Sequence, residues 1–189
     1  MTRKQEAGQR FLPGMSPGLV RVAEAAQRNP GGLLSLAHHI DVDALEGVIA
    51  GSNPRSVLRG VYRFLEGAGC NWVRPGEDGE CIPQRDLTDI AVKLDAAPPY
   101  RYRGLCIEGA VSYQNMLENI DWAPKAGFNS YFLEFIIPHT FFDRWYRHLG
   151  NKYLEPEPLT VEMVLDFKQG MERAITKRGL IYQAVGHGW

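Results

Sequence analysis

Six residues stand where strand-like runs give out, and their types suit recognition of a polyhydroxylated ligand. Glu108 closes RGLCIE and Glu134 lies in SYFLEFII. Gln183, His187 and Trp189 lie in LIYQAVGHGW, and Tyr113 just precedes the helical stretch after the first of these runs. Two carboxylates and an imidazole on one rim can hydrogen-bond sugar hydroxyls, or serve as the acid and base of glycosidic-bond hydrolysis. Trp189 can stack on a sugar face. Each has a plainer reading. Either glutamate can pair with an Arg or Lys or point to solvent, and His187 and Trp189 can belong to a solvated terminal stretch.

For these residues to meet, their strands must be parallel, adjacent and in phase. Side chains alternate across a strand. If Leu105 and Ile107 face a helix layer, then Gly104, Cys106 and Glu108 face the other side. Likewise Tyr131, Leu133, Phe135 and Ile137 suit the helix layer and leave Ser130, Phe132 and Glu134 opposite. Leu180, Tyr182 and Ala184 pack toward helices, with Gln183 and His187 on the ligand side. A helix over Gln114 to Trp122, bent or ended by Pro124, separates the first two strands. A helix capped by Thr160, with Leu159 and Val164 placed as a hydrophobic staple, separates the second and third. Its expected buried face is Val161, Val164, Leu165, Met171 and Ile175, and Gly179 ends it. Between them, Phe141 to Glu157 reads as a long excursion rich in aromatics and prolines. Trp145, Tyr146 and His148 in it are expected to overhang the site. Alternation β-α-β-α-β implies a parallel sheet.

The first half has a different grammar. Leu19 to Gln27 reads as a short helix, stopped by Asn29-Pro30-Gly31-Gly32. Leu33 to Ala37 and Gly47 to Ala50 read as strands joined by a polar turn at Asp41-Val42-Asp43. The next helix is well signalled by Asn53 as N-cap, Pro54 at the first helical position and the stripe Val57, Leu58, Val61, Tyr62 and Leu65. Asn71-Trp72-Val73 and Leu87 to Leu94 read as strands. Asp95-Ala96-Ala97-Pro98-Pro99 is the candidate boundary, giving units at 1–97 and 98–189. The fold class is therefore α/β: an α+β N-terminal domain followed by a partial β/α barrel of about three strands.

Composition narrows the function classes. Of 189 residues, 44% are hydrophobic and 23% charged, with a net charge of −1, as in an ordinary globular chain with no basic stripe for nucleic acid. No stretch has the apolar length of a membrane span. The first twenty residues contain no apolar leader core, which makes cytoplasmic the default location. Cys70, Cys81 and Cys106 form no CxxC; three free, buried thiols are expected over a Cys70–Cys81 disulfide. Cys106, inside a strand, reads as inert. No cofactor or metal motif stands out.

The series of motifs resembles a known group. VIAGSNPRSVLRGVYRFLEGAGCNWVRPG is similar to the small α/β domain that precedes the barrel in β-N-acetylhexosaminidases and α-glucuronidases. PPYRYRGLCIEGA resembles their first barrel strand, and DWAPKAGFNSYFLEF their first barrel helix and second strand. AITKRGLIYQAVGHGW resembles the third strand with its Gly-His tip. The resemblance covers roughly residues 45–189, and a bacterial branch of this glycosidase group fits better than either named class. It departs from the pattern at Val111, where the hexosaminidases carry a sugar-gripping Arg, and at Phe132 and Glu134, where they carry histidines. An acetamido-sugar preference is therefore not expected. The resemblance implies that catalytic carboxylates lie on later strands, since a full barrel needs about 250 residues. The expected function is that of an N-terminal fragment of a glycoside hydrolase. It would supply part of the substrate rim, without the catalytic pair, and would be inactive alone. The alternative is a non-catalytic carbohydrate-binding or scaffold module. The expected partners are an oligosaccharide or glycoside and, through exposed sheet edges, a second copy of the chain.

Overall fold

The computed structural model describes residues 21–24, 37–44, 46–107 and 111–185. They form a mixed α/β structure with four α-helices and three sheets. The first sheet contains β1 (Arg21–Glu24), β2 (His38–Asp43), β3 (Glu46–Gly51) and β6 (Ala91–Ala96), in the order β1-β3-β2-β6. β1 runs parallel to β3, and β2 is antiparallel to both β3 and β6. A hairpin of β4 (Asn71–Trp72) and β5 (Glu80–Cys81) forms the second sheet. The third is parallel, β7 (Gly104–Cys106), β8 (Ser130–Glu134) and β9 (Ile181–Val185), in that order.

Two expectations for the first sheet are corrected. Arg21–Glu24 is an edge strand, not part of a helix, because four residues can pair in register along β3, and pairing of that kind overrides weak local propensity. Asp41-Val42-Asp43 is strand, not turn. His38, Ile40 and Val42 alternate as buried positions with exposed His39, Asp41 and Asp43, a period of two that the polar residues obscure. The reversal comes later: Asp43 pairs with Glu46, and Ala44 takes φ 46°. Residues 33–36 of the expected first strand lie outside the described residues.

α1 (Pro54–Gly67) begins as its sequence requires, with the Asn53 side chain accepting the Ser56 amide at 3.1 Å. One face lies on the first sheet through small residues. A Cβ at Gly60 would sit 2.8 Å from Ile49 Cγ2, and one at Gly67 would sit 2.7 Å from Val92 Cγ2. The core there is Ile40, Val42 and Ile49, flanked by Val61 and Phe64. The opposite face meets the stretch after α1 and the second half of the chain. Arg59 Nη1 donates to the Lys125 carbonyl at 2.8 Å, and Tyr62 meets Trp72 edge-on at 5.4 Å. The apolar stripe of α1 is therefore split between two partners. The outer face of the sheet is polar, with Lys93 paired to Asp41 at 3.2 Å and His39 to Asp95 at 2.7 Å.

The parallel sheet carries its helices on one face. α2 (Tyr113–Lys125), α3 (His139–Tyr146) and α4 (Val161–Lys177) enclose Met116, Ile120, Phe142, Val164, Met171 and Ile175, all fully buried with Tyr131 and Leu133 of β8. Each such side chain contributes about 1.5–3 kcal/mol by leaving water. Pro124 sits in the last turn of α2, which ends at Lys125. The expected irregular excursion contains α3, whose Phe141 and Phe142 reach the core. Val161 and Leu165 are exposed, not buried. The true α4 stripe is Val164, Met171 and Ile175, which keeps closer to the helical period. The strand from Leu87 begins only at Ala91, after a 3-10 turn at Leu87–Asp89. No helix among the described residues is long and apolar enough to cross a membrane.

Candidate functional site

The side of the parallel sheet away from the helices presents one lateral row. Cys106, Phe132 and Gln183 are register partners across β7, β8 and β9. Burial along β8 fixes the faces, since Tyr131 and Leu133 are fully buried under the helices while Phe132 and Glu134 are only partly covered. A residue step of one would reverse this. Phe132 reaches over the neighbouring strand, where a Cβ on Gly104 would come within 2.6 Å of its Cε2. A side chain at position 104 would therefore force the Phe132 ring to shift from where it lies. The Gln183 Oε1 is buried and accepts no hydrogen bond among the described residues. A buried acceptor in that state costs about 1–3 kcal/mol, and a ligand hydroxyl would relieve it.

Glu134 stands two residues further along β8, opposite Val185 of β9. It is the last residue of the strand. The chain breaks from the sheet immediately after it, because Phe135 takes φ 68°. A bulky residue in the left-handed region is a genuine outlier, held only by its surroundings. The kink turns Phe135 back against the core cluster, so Glu134 is fixed at the C-terminal lip of the sheet. Active sites in β/α architectures form at this end of the strands.

Glu134 and Gln183 therefore share one face of the sheet, with Glu134 at its C-terminal lip and Gln183 in the middle of β9. Tyr113 does not join them. It is the first residue of α2, after the Ser112 cap, and its ring stacks on Phe167 at 4.4 Å and 5° in the helix layer. Tyr146 and His148 also belong elsewhere. The Tyr146 hydroxyl accepts the Tyr113 amide at 3.3 Å, and His148 Nε2 meets Glu157 Oε1 at 2.9 Å. Glu108, His187 and Trp189 lie outside the described residues. The cysteines are free, as expected, but Cys81 and Cys106 are exposed and Cys70 is half-buried, which corrects the expectation of buried thiols. Asn71, not Cys70, is the register partner of Cys81, and Cys70 precedes the strand. Among the described residues no group of three or more His, Cys, Asp or Glu could hold a metal ion.

Two features of the site escaped sequence reasoning. The Cys106–Phe132–Gln183 row depends on register between strands far apart in the chain. The kink at Phe135 has no sequence mark, since glycine is the usual signal for that backbone region.

A scan against protein-family models gives no match to this chain. A search of curated proteins gives no significant match.

Proposed function

We propose that the parallel sheet is the opening part of a glycoside-hydrolase-like β/α barrel. Its uncovered face would supply part of a carbohydrate-binding rim. The observation that supports this reading is the shared face of Phe132, Glu134 and Gln183. It combines an aromatic surface, a carboxylate at a strained strand end and a buried amide oxygen with no partner among the described residues. An aromatic ring beside hydroxyl-binding groups suits a sugar, which has apolar ring faces and a polar circumference. Glu108, His187 and Trp189 are proposed to complete the rim, with Tyr113 supporting it from the helix layer.

In this reading the chain binds sugar without cleaving it: Glu108 and Glu134 hold hydroxyls, and the two carboxylates that hydrolysis needs, about 5–9.5 Å apart across the glycosidic bond, are a different pair. The catalytic pair of such an enzyme would be carried on further strands. The test is calorimetric titration of the purified chain with oligosaccharides, alongside an aryl-glycoside hydrolysis assay. The expected result is weak, saturable sugar binding that falls about tenfold in Glu134→Gln, the loss of one charge-assisted hydrogen bond, with no hydrolysis. Turnover that survives purification and disappears in Glu134→Gln would overturn the non-cleaving part. Absence of sugar binding would overturn the whole reading, including the alternative of a non-catalytic carbohydrate module. Sugar binding unchanged in Glu134→Gln would move the site elsewhere.

A further inference from the structure

The opposite end of the same sheet carries a second concentration of chemistry. A cleft opens between α1 and the N-terminal ends of β8 and β9, lined by Arg55, Leu58, Arg59, Phe128, Asn129 and Arg178. Three guanidiniums border it, and they are far from equivalent. Arg178 donates through Nε to Asp121 Oδ1 at 2.9 Å, and also through Nη2. Arg59 pairs with Glu66 at 3.1 Å, a carboxylate it shares with Arg63. Arg55 is half-buried and meets no carboxylate and no hydrogen-bond acceptor among the described residues.

The surroundings do not make up the deficit. Lys125 draws on Asp121 and on Glu80, at 2.7 and 2.5 Å. Arg103 lies against Arg59 through the Gly127 turn. Its Nε donates to the Gly127 carbonyl at 2.8 Å, while a Cβ on Gly127 would sit 3.2 Å from Arg59 Cζ. Among the described residues the Arg103 guanidinium has only backbone carbonyls as partners, and its Nη2 is buried without any. Six cationic side chains thus gather around three carboxylates, Glu66, Asp121 and Glu80, and only Arg59, Arg63, Lys125 and Arg178 pair with them. Burial pushes the Arg55, Arg59 and Arg103 guanidiniums below their usual range, and Arg59 adds to the effect on Arg103. Desolvated cations in excess of their counter-charges are costly, and arginine forks are shaped for oxyanions.

We propose that this cleft is an oxyanion-binding site, in which Arg55 supplies the unpaired fork and Arg59 and Arg178 flank it. The hollow of about 10 Å³ has room for a water molecule only, so the anion seats at the mouth, where Arg55 can turn to it. The ligand chemistry is that of a phosphate group, free or carried on a larger molecule. The site is separate from the proposed sugar rim and does not depend on it.

The experiment is thermal unfolding and calorimetry of the whole chain with inorganic phosphate, at constant ionic strength balanced with sodium chloride. Phenyl phosphate provides a second arm. The wild-type chain is expected to gain a saturable rise in Tm. Arg55→Gln is expected to weaken phosphate binding about tenfold, the loss of one charged hydrogen-bonding group, and Arg74→Gln, outside the cleft, to leave it unchanged. Equal affinity for the two ligands identifies the phosphate group alone, and tighter binding of phenyl phosphate identifies an esterified ligand. If Arg55→Gln does not fold, Arg55→Lys keeps the charge and the stem against Gly179, and is expected to bind a few-fold more weakly than the wild type. Phosphate acting no differently from chloride, or unchanged phosphate binding in the Arg55 variant that folds, would overturn the proposal.

Discussion

Asp121 shows how one side chain can tie two helices, since it pairs with Lys125 on its own helix α2 and with Arg178 at the end of α4. Burial alone would push its carboxyl up, but hydrogen bonds from Lys125 and Arg178 outweigh that and hold it below the usual carboxylate range. A depressed folded-state pKa means that the stabilisation is fully present above the unfolded value of about 3.9 and is lost as pH falls through the lower folded value. Asp121 is 42% exposed, so solvent screening limits the contribution to about 1 kcal/mol. Asp121→Asn is expected to lower stability by that amount at neutral pH and to flatten the acid limb below about pH 4, read by urea denaturation across pH. The same scale offers a stabilising change. Ala44 is exposed and occupies φ 46° in the β2–β3 hairpin, a conformation costing a non-glycine residue about 1–2 kcal/mol. Ala44→Gly relieves this cost and adds unfolded-state entropy, so a net gain of about 0.5 kcal/mol is expected. A fall in Tm would show that the hairpin is not strained there. None of this was legible in the sequence. Asp121, Lys125 and Arg178 come together only after α2 and α4 have packed.

At the scale of elements, legibility followed the strength of local chemistry. The starts of α1 and α4 were readable because an N-cap side chain meets an amide three residues on: Asn53 with Ser56, and Thr160 with Met163 at 3.1 Å. The facing of β8 was readable because Tyr131 and Leu133 alternate with Phe132 and Glu134. Elements governed by distant partners were not. β1 exists through pairing with β3, and β2 hides its period behind His39, Asp41 and Asp43. The stripe on α1 was also misleading, because the helix is used on two sides. Gly60 is what allows its approach to β3. Gly60→Ala gains about 1 kcal/mol of helix propensity, but it drives a methyl into Ile49 within a packed core, which costs about 1–3 kcal/mol. A net loss of about 1 kcal/mol is expected by chemical denaturation, and a gain would mean that α1 can lift from the sheet without penalty. For the candidate site, residue identity at Glu134 and Gln183 was legible, whereas the row they form with Phe132 was not, because register is a property of three strands and not of one.

At the scale of the whole molecule, the two sheets differ in how they meet water. The first is covered by α1 on one side and by charged pairs on the other. The third has helices on one face and presents Phe132 on the other. All-parallel sheets are ordinarily covered on both faces, and unpaired sheet edges invite pairing with another chain. The chain is therefore expected to self-associate through this sheet at micromolar concentration, measured by light scattering. A clean monomer would show that the sheet is self-sufficient and would count against a barrel that is only partly formed. The claim that matters most is that the face away from the helices binds sugar, and its most direct test is an amide NMR titration of the isotopically labelled chain with oligosaccharides. The account predicts saturable shifts concentrated at Phe132, Glu134 and Gln183, with the amides of α4 unmoved. Shifts absent at saturating sugar, or confined to the first sheet, would contradict it.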